Sequence, residues 1–474
     1  MAYKHGVYVS EQSTGILAPL NGTAGLQVII GTAPVNMADD LSTVLEPKLI
    51  NSFAEAKAAL GYSDDFANYT LCQSMDACFR VFNIAPIVLI NVLNPAEHKT
   101  EAASVTLTPE NSQAVIAEDG APIYGVLPAT VQIKDSENTS LTAADFALTF
   151  REDGALTITL IKSVSGNITV TYSKLDPSAV DKDDIILALE KIREVYPRFS
   201  TTPGLILAPG WSHEANTAAA IQAKCTGING VFAGECILDI AASSDGATAY
   251  STVKSAKESL GADGEHTLVC WPMAVIGTKK YYMSALVGAL IAYTDAVNDD
   301  VPHVSPSNKS FNITGTCLAD GTKVLLDQEQ ANAVNSFGVI TALNMDGYRC
   351  WGNNTAAYPA NTDPKDRWIS VRRFFTWRAN SLIRTYFQTV DNPMNYRLIE
   401  SIVDSENIAG NSFVAQGYCG GYRVEFRADE NPDTQLIDGR IKFHIYLAPF
   451  PPAEDIEFIL EFDTDALSSA LIGD

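Results

Sequence analysis

Five short runs between Leu26 and Pro272 constrain this chain most: "LQVIIG", "IVLINVL", "GLILAPG", "ECILDIAA" and "HTLVCWP". Each is almost wholly apolar, so each has to be buried on both faces. Helical patterns separate them. Strands of this kind belong in the interior of a largely parallel sheet covered by helices on both sides. The intervening helices carry their own punctuation: "SFAEAKAALGY" starts at Ser52 and stops at Gly61, and a further helix is expected over about Ala67 to Phe82. "DPSAVDKDDIILALEKIREV" sets acidic residues in its first turn, where the helix dipole favours them. "SHEANTAAAIQAKC" reads as a helix capped by Ser212, and the Ala- and Gly-rich "YYMSALVGALIAYTDAV" as a tightly packed core helix. Its apolar stretch, Met283 to Tyr293, is too short to span a bilayer.

From about Pro95 to Pro177 the period changes to two. "DFALTFREDGALTITL" is a hairpin turning at Asp153 and Gly154, and "GNITVTY" adds another strand, which predicts a small all-β insert. The C-terminal part differs again: a long helix in "RWISVRRFFTWRANSLIRTYFQ", a second helix after Asn392-Pro393, and strands in "YRVEFRA" and "IKFHIYLA". On the long helix, Trp368, Val371, Phe375, Leu382 and Tyr386 form one stripe, assigned to the protein's own core. The other side carries Ile369, Arg373, Trp377 and Arg384. Trp and Ile among arginines fit a face covered by a partner, or a helix sandwiched inside its own domain with the arginines snorkelling out.

The two ends are strand-like with no evident home. "GVYVS" opens the chain. After Pro449, Pro451 and Pro452, "EDIEFILEF" places Ile456, Phe458, Leu460 and Phe462 on one face and Glu457 and Glu461 on the other, followed by a short polar tail. Proline fixes φ and lacks an N–H, so the cluster makes a stiff, extended spacer rather than a tight return. The resulting fold class is α/β, a mixed, largely parallel sheet core built from N- and C-terminal parts, with a small all-β insert and extended terminal β arms. The expected division is 1–25 for an N-terminal arm, 26–94 with 178–360 for the α/β core, 95–177 for the insert, 361–448 for a C-terminal inner domain and 449–474 for a C-terminal arm.

Chemistry is harder to find. The 474 residues carry a net charge of −24, which disfavours duplex DNA and anionic lipid, whose binding depends on Lys and Arg. Eight scattered cysteines form no Cys-x-x-Cys pair and read as reduced, buried apolar residues. The six histidines are far apart. Nucleophile-elbow, Walker, dinucleotide-binding and His-Glu-x-x-His motifs are all absent. Asp183-Asp184 and Asp299-Asp300 read as a helix start and a solvated loop. No catalytic, cofactor-binding or metal-ligating residue is assigned. "MAYKHGVYVSEQS" lacks the apolar core of a signal peptide, which points to cytoplasmic synthesis.

Several segments, in order along most of the chain, resemble the tail sheath proteins of contractile bacteriophages and related bacteriocin-like particles. They are "GVYVSE", "LQVIIGTAP", "PGLILAPG", "VSPSNKSFNITG", "CWGNNTA", "WISVRRFF" and "IYLAPFPPAEDIEFILEF". Two positions depart from the family pattern: His5 stands where Pro is frequent, and Asn354 where Arg is. The resemblance implies a structural subunit, not an enzyme and without a cofactor, located in a virion tail or phage-tail-like particle assembled in the bacterial cytoplasm. It implies stacked hexameric rings around a tail tube, with baseplate and tail terminator proteins as further partners, and neither direct nucleic-acid contact nor membrane insertion. It also implies that the arms add strands to neighbouring subunits, through Gly6, Val7, Tyr8 and Val9 at one end and Ile456, Phe458, Leu460 and Phe462 at the other. Arg373, Trp377, Arg378 and Arg384 are the expected tube-facing residues. An α/β hydrolase-like enzyme with an unrecognised site, and another self-assembling shell protein, are the alternative classes.

Overall fold

The computed structural model describes residues 20–21, 23–40 and 43–472. Gly6, Val7, Tyr8 and Val9 lie outside the described residues.

The apolar runs become the strands of one sheet. In chain order the first elements are β1 (Gln27–Gly31), β2 (Lys48–Ile50), α1 (Phe53–Leu60), α2 (Thr70–Asp76) and β3 (Ile87–Asn91). Ser52 caps α1 by accepting the Glu55 N–H, and Gly61 closes it at φ 73°. The chain then runs through the six longer strands of the insert: β4 (Ala103–Leu107), β5 (Gln113–Val115), β6 (Gln132–Lys134), β7 (Phe146–Phe150), β8 (Leu156–Leu160) and β9 (Ile168–Tyr172). They form two three-stranded sheets, β6-β9-β4 and β7-β8-β5, around Ile116, Leu156, Ile158, Ile168 and Val170. The β7–β8 hairpin turns at Asp153 and Gly154, the latter at φ 88° as its left-handed position requires.

Next come α3 (Lys182–Leu189), β10 (Leu205–Leu207), α4 (Ala215–Ala223), β11 (Glu235–Asp239), α5 (Val253–Leu260), β12 (Thr267–Cys270) and α6 (Met283–Ala296). The main sheet has the order β12-β11-β10-β1-β3-β2, parallel except for the edge strand β2. Every residue of β1, β3, β10, β11 and β12 is buried, the condition their apolar runs impose. Helices α2 and α6 form one layer, and α3, α4 and α5 the other. Helix α6 lies close on the strands because Gly288 has no side chain: a Cβ there would meet Gln27 Oε1 at 2.6 Å and Leu207 Cδ2 at 2.7 Å.

Ser212 does not cap α4, which begins at Ala215 after Glu214. Its Oγ instead serves the buried Asp239, accepting the Asp239 N–H at 3.1 Å and contacting the carboxylate at 3.3 Å. A buried carboxylate has a stronger need of donors than a solvated helix end does.

The chain ends with α7 (Ile369–Tyr386), α8 (Tyr396–Ala415), β13 (Cys419–Glu425), β14 (His444–Pro449) and α9 (Thr464–Ile472). β13 and β14 form a separate two-stranded antiparallel sheet with its own apolar cluster, including Phe374, Tyr418, Tyr422 and Val424. Between β14 and α9 the chain has no regular structure. The tail read as polar contains α9, whose first turn is capped by Asp463 through the Ala466 N–H at 2.8 Å. Among the described residues, no helix is long and apolar enough to cross a membrane.

Candidate functional site

In doubly wound sheets, ligands bind in the crevice at the carboxyl ends of the strands where the strand order reverses. Here that place lies between β1 and β10, and side chains fill it. Trp211 Nε1 donates to Thr70 Oγ1 at 3.2 Å, and Thr70 also approaches both flanking glycines. A Cβ on Gly31 would sit 2.3 Å from Thr70 Oγ1, and one on Gly210 would sit 2.8 Å from its Cγ2. Beyond Trp211, His213 stacks on Tyr282. Asp239 accepts from the Ser284 N–H at 2.9 Å and from the Ser284 hydroxyl, and burial pushes its carboxyl up to about 6. These polar groups bond one another and bind the layers together. No cluster of His, Cys, Asp and Glu suited to a metal occurs among the described residues, and all eight cysteines are buried.

The C-terminal helices carry the charges singled out in the sequence, and the structure corrects their assignment. Arg373 and Arg378 are not surface groups. Arg373 is 3% exposed and makes two bonds, at 2.9 and 2.5 Å, to the Asp295 carboxylate at the end of α6. Burial opposes its charge, but Asp295 outweighs that and holds the guanidinium above its ordinary value. Arg378 bonds the Tyr422 hydroxyl at 2.9 Å and the Glu406 carboxylate; Glu406 also accepts from Tyr386 at 2.8 Å and Tyr422 at 2.7 Å. Trp377 is half-buried against Phe374 and Phe413. Of the four, Arg384 alone is exposed. Helix α7 is therefore sandwiched, with Ile369 and Val371 both buried, and both of its expected faces meet the chain itself. The signal for this was the single acid, Asp295, near the end of an otherwise apolar helix: such an acid needs a buried partner.

Around this module the two ends of the described chain are tied down at their roots. Asp300 accepts the N–H groups of Thr23 and Ala24, each at 2.9 Å, and the Thr23 hydroxyl. Its neighbour Asp299 accepts from the Tyr418 hydroxyl at 2.8 Å. Both acids hold left-handed backbone, at φ 58° and 61°, in a turn where Asp299 stays exposed as the sequence implied, while each acid also bonds another segment.

At the other end, Pro449 closes β14, and Pro451 and Pro452 lead to Glu454, which Arg367 binds at 2.6 Å. Asn354 completes the contact by accepting from Arg367 Nε at 2.7 Å, and the guanidinium lies 4.0 Å over the Trp368 ring. Past this anchor Ile456, Phe458, Leu460 and Phe462 are 68, 85, 95 and 77% exposed. The segment is not a strand within its own chain.

The described residues thus combine a crevice filled by side chains with a long exposed apolar segment past residue 455. No family model matches the chain. The tail sheath protein of Burkholderia phage BcepMu is 24% identical over 98% of this chain and 98% of its own length. Two solved structures share the fold: a chain of the six-fold symmetrised baseplate of the anti-feeding prophage, and a sheath complex of an extracellular contractile injection system in the contracted state. The first has 13% identity and a TM-score of 0.60 over 98% of this chain and 100% of that one. The second has 14% identity and a TM-score of 0.58 over 99% of each. Over almost its whole length the chain is thus similar in sequence to a phage tail sheath protein and in fold to chains of contractile particles.

Proposed function

We propose that this chain polymerises as stacked hexameric rings around a tail tube, and that contraction of the array drives the tube through a target cell envelope. One observation carries the reading: an alternating apolar segment, residues 456–462, stands exposed beyond a proline spacer. Its natural acceptor is the sheet of another copy, since strand addition gives main-chain bonds and places alternate side chains in the partner's core.

The energetics support assembly on a template. Burying the four apolar side chains contributes roughly 6 to 12 kcal/mol. About five new hydrogen bonds add roughly 5 kcal/mol. Ordering about seven residues costs roughly 7 to 14 kcal/mol. One arm is near balance, and several engaged together become tight. A tube on its baseplate would hold subunits in register for this, and a terminator would end the array.

Modules follow the division read from the sequence: core 26–94 and 178–360, insert 95–177 facing outward, inner domain 361–448 toward the tube, arms 1–25 and 449–474. Of the arginines expected on the tube, Arg384 remains available for an acidic partner. The particle is a virion tail or a phage-tail-like object assembled in the bacterial cytoplasm.

The test is Phe458→Asp with Leu460→Asp. The double variant is expected to give a folded monomer in sedimentation that forms no polymer. Normal polymers from it would overturn the reading.

A further inference from the structure

Two buried cysteines meet where α4 runs into β11. Cys225 follows the last turn of α4, and its carbonyl accepts the Gly234 N–H at 2.8 Å. Residues 226–233 therefore form a closed loop, and Cys236, two residues past Gly234, returns beside the start of that loop. Both sulfurs settle on the same turn of α4. The Cys225 thiol donates to the Ile221 carbonyl at 3.6 Å. The Cys236 thiol donates to Thr267 Oγ1 at 3.5 Å, and the Thr267 hydroxyl donates in turn to Gln222 Oε1 at 3.1 Å. The thiols also act on each other: contact with Cys236 first, and burial second, hold the Cys225 thiol well above its ordinary value.

This pair suits oxidation better than metal binding. Two thiols are too few to close a zinc site, and no three-membered group of His, Cys, Asp and Glu able to hold an ion occurs among the described residues. Removing both thiol protons strands no acceptor. The Ile221 carbonyl keeps the Lys224 N–H at 3.0 Å, and Thr267 Oγ1 keeps its bond to Gln222. The loop over the pair is exposed at Thr226, Gly227, Asn229, Gly230 and Val231, and Gly227 and Gly230 hold φ at 71° and 83°. Beside it lies a surface cavity of about 340 Å³, lined in part by Ile192, Arg193 and Lys224, with room for a small reagent.

We propose that Cys225 and Cys236 form a modification site, at which a small-molecule disulfide converts them to an intramolecular disulfide tying the end of α4 to β11. In the closed subunit both thiols are protonated and out of reach, so the reaction proceeds through opening of the loop. The Cys236 thiolate attacks one sulfur of the reagent and releases the other half as a thiolate. The Cys225 thiolate then attacks the Cys236 sulfur of the mixed disulfide and releases the second half. The two protons of the protein thiols end on the two released thiols; the protein gives up two electrons and the reagent takes them. Once formed, the link restrains the opening that admitted the reagent. The subunit is therefore reduced in a cytoplasm and gains the link in an oxidising medium.

The test incubates the folded full-length chain with glutathione disulfide in urea below the unfolding transition. Amide exchange in residues 226–234 reports when the loop has opened. Trypsin cleaves after Lys224 and Lys254, so the peptide 225–254 contains Cys225 and Cys236 and no other cysteine. Its mass should fall by two hydrogens, with the other cysteines still open to alkylation after denaturation. Exchange in 226–234 should then slow by about tenfold or more, and dithiothreitol should restore it. In Cys225→Ala the same treatment should leave the loop exchange unchanged. Once the loop amides have exchanged, a peptide 225–254 that keeps two free thiols or carries only glutathione adducts overturns the proposal. A link that leaves the loop exchange unaltered overturns its restraining role. If the variant does not fold, the peptide mass of the parent decides.

Discussion

Arg367 and Glu454, 87 residues apart in sequence, join the α/β core to the base of the C-terminal segment through an ion pair of 2.6 Å. Both side chains are partly exposed, at 21 and 38%, so the pair adds at most about 1 kcal/mol to stability. Its effect is on direction: it fixes where the segment leaves the subunit. Glu454→Ala should leave the urea midpoint nearly unchanged and accelerate proteolytic cleavage between residues 450 and 463. An unchanged cleavage rate would show that the segment is held by something else.

Arg373 and Asp295 form the opposite case, a pair closed off from water. Arg373→Ala leaves the Asp295 carboxylate buried without its cation, which should cost about 3–5 kcal/mol in denaturant unfolding. The double change Arg373→Met with Asp295→Leu should recover most of that loss. Equal losses in the single and double variants would mean that packing, not charge, dominates there.

Lys257 extends from α5 to three carbonyl oxygens, those of Phe337 at 2.7 Å, Ala356 at 2.6 Å and Tyr358 at 3.0 Å. Burial lowers its ammonium to about 8. Lys257→Met orphans three acceptors and should destabilise the subunit by about 3–9 kcal/mol, since each unsatisfied buried group costs about 1–3 kcal/mol. A loss well under 1 kcal/mol would show that water reaches the site.

Asp239 gives a pH dependence of known sign. Its folded value of about 6 lies above the unfolded carboxyl value of about 4, so the native state binds the extra proton. The stabilisation is complete below about pH 4 and is lost as pH rises through about 6. Asp239→Asn should flatten the unfolding free energy over that interval relative to the parent. Parallel pH profiles for parent and variant would contradict the assignment.

Local signals were legible in the sequence, and pairings over distance were not. Ser52, Gly61 and the Asp153-Gly154 turn act on backbone within four residues, so their chemistry can be read directly from the chain. The five apolar strands were equally clear, because burial on both faces leaves few polar positions, and those present, such as Gln27, Asn91 and Asp239, stand at strand ends. Arg373 and Arg378 were misplaced for the converse reason: Asp295 and Glu406, which bury them, lie 78 and 28 residues away, and periodicity carries no information about partners. Ser212 was drawn from a cap to Asp239 by the same kind of contact, and the bonds of Asp299 and Asp300 to Tyr418 and Thr23 were equally invisible in the sequence. The apolar pattern of 456–462 was legible, but the segment forms no strand in its own chain, and its partner lies in another molecule under the reading proposed here.

Electron microscopy of the full chain and of a chain ending at Pro452, each prepared as purified subunit and then offered its tail tube, tests that reading most directly. The full chain should form regular striated sheaths on the tube, and the shortened chain should remain a folded monomer that forms none. Regular sheaths built from the shortened chain would show that the mesh does not depend on the C-terminal strand.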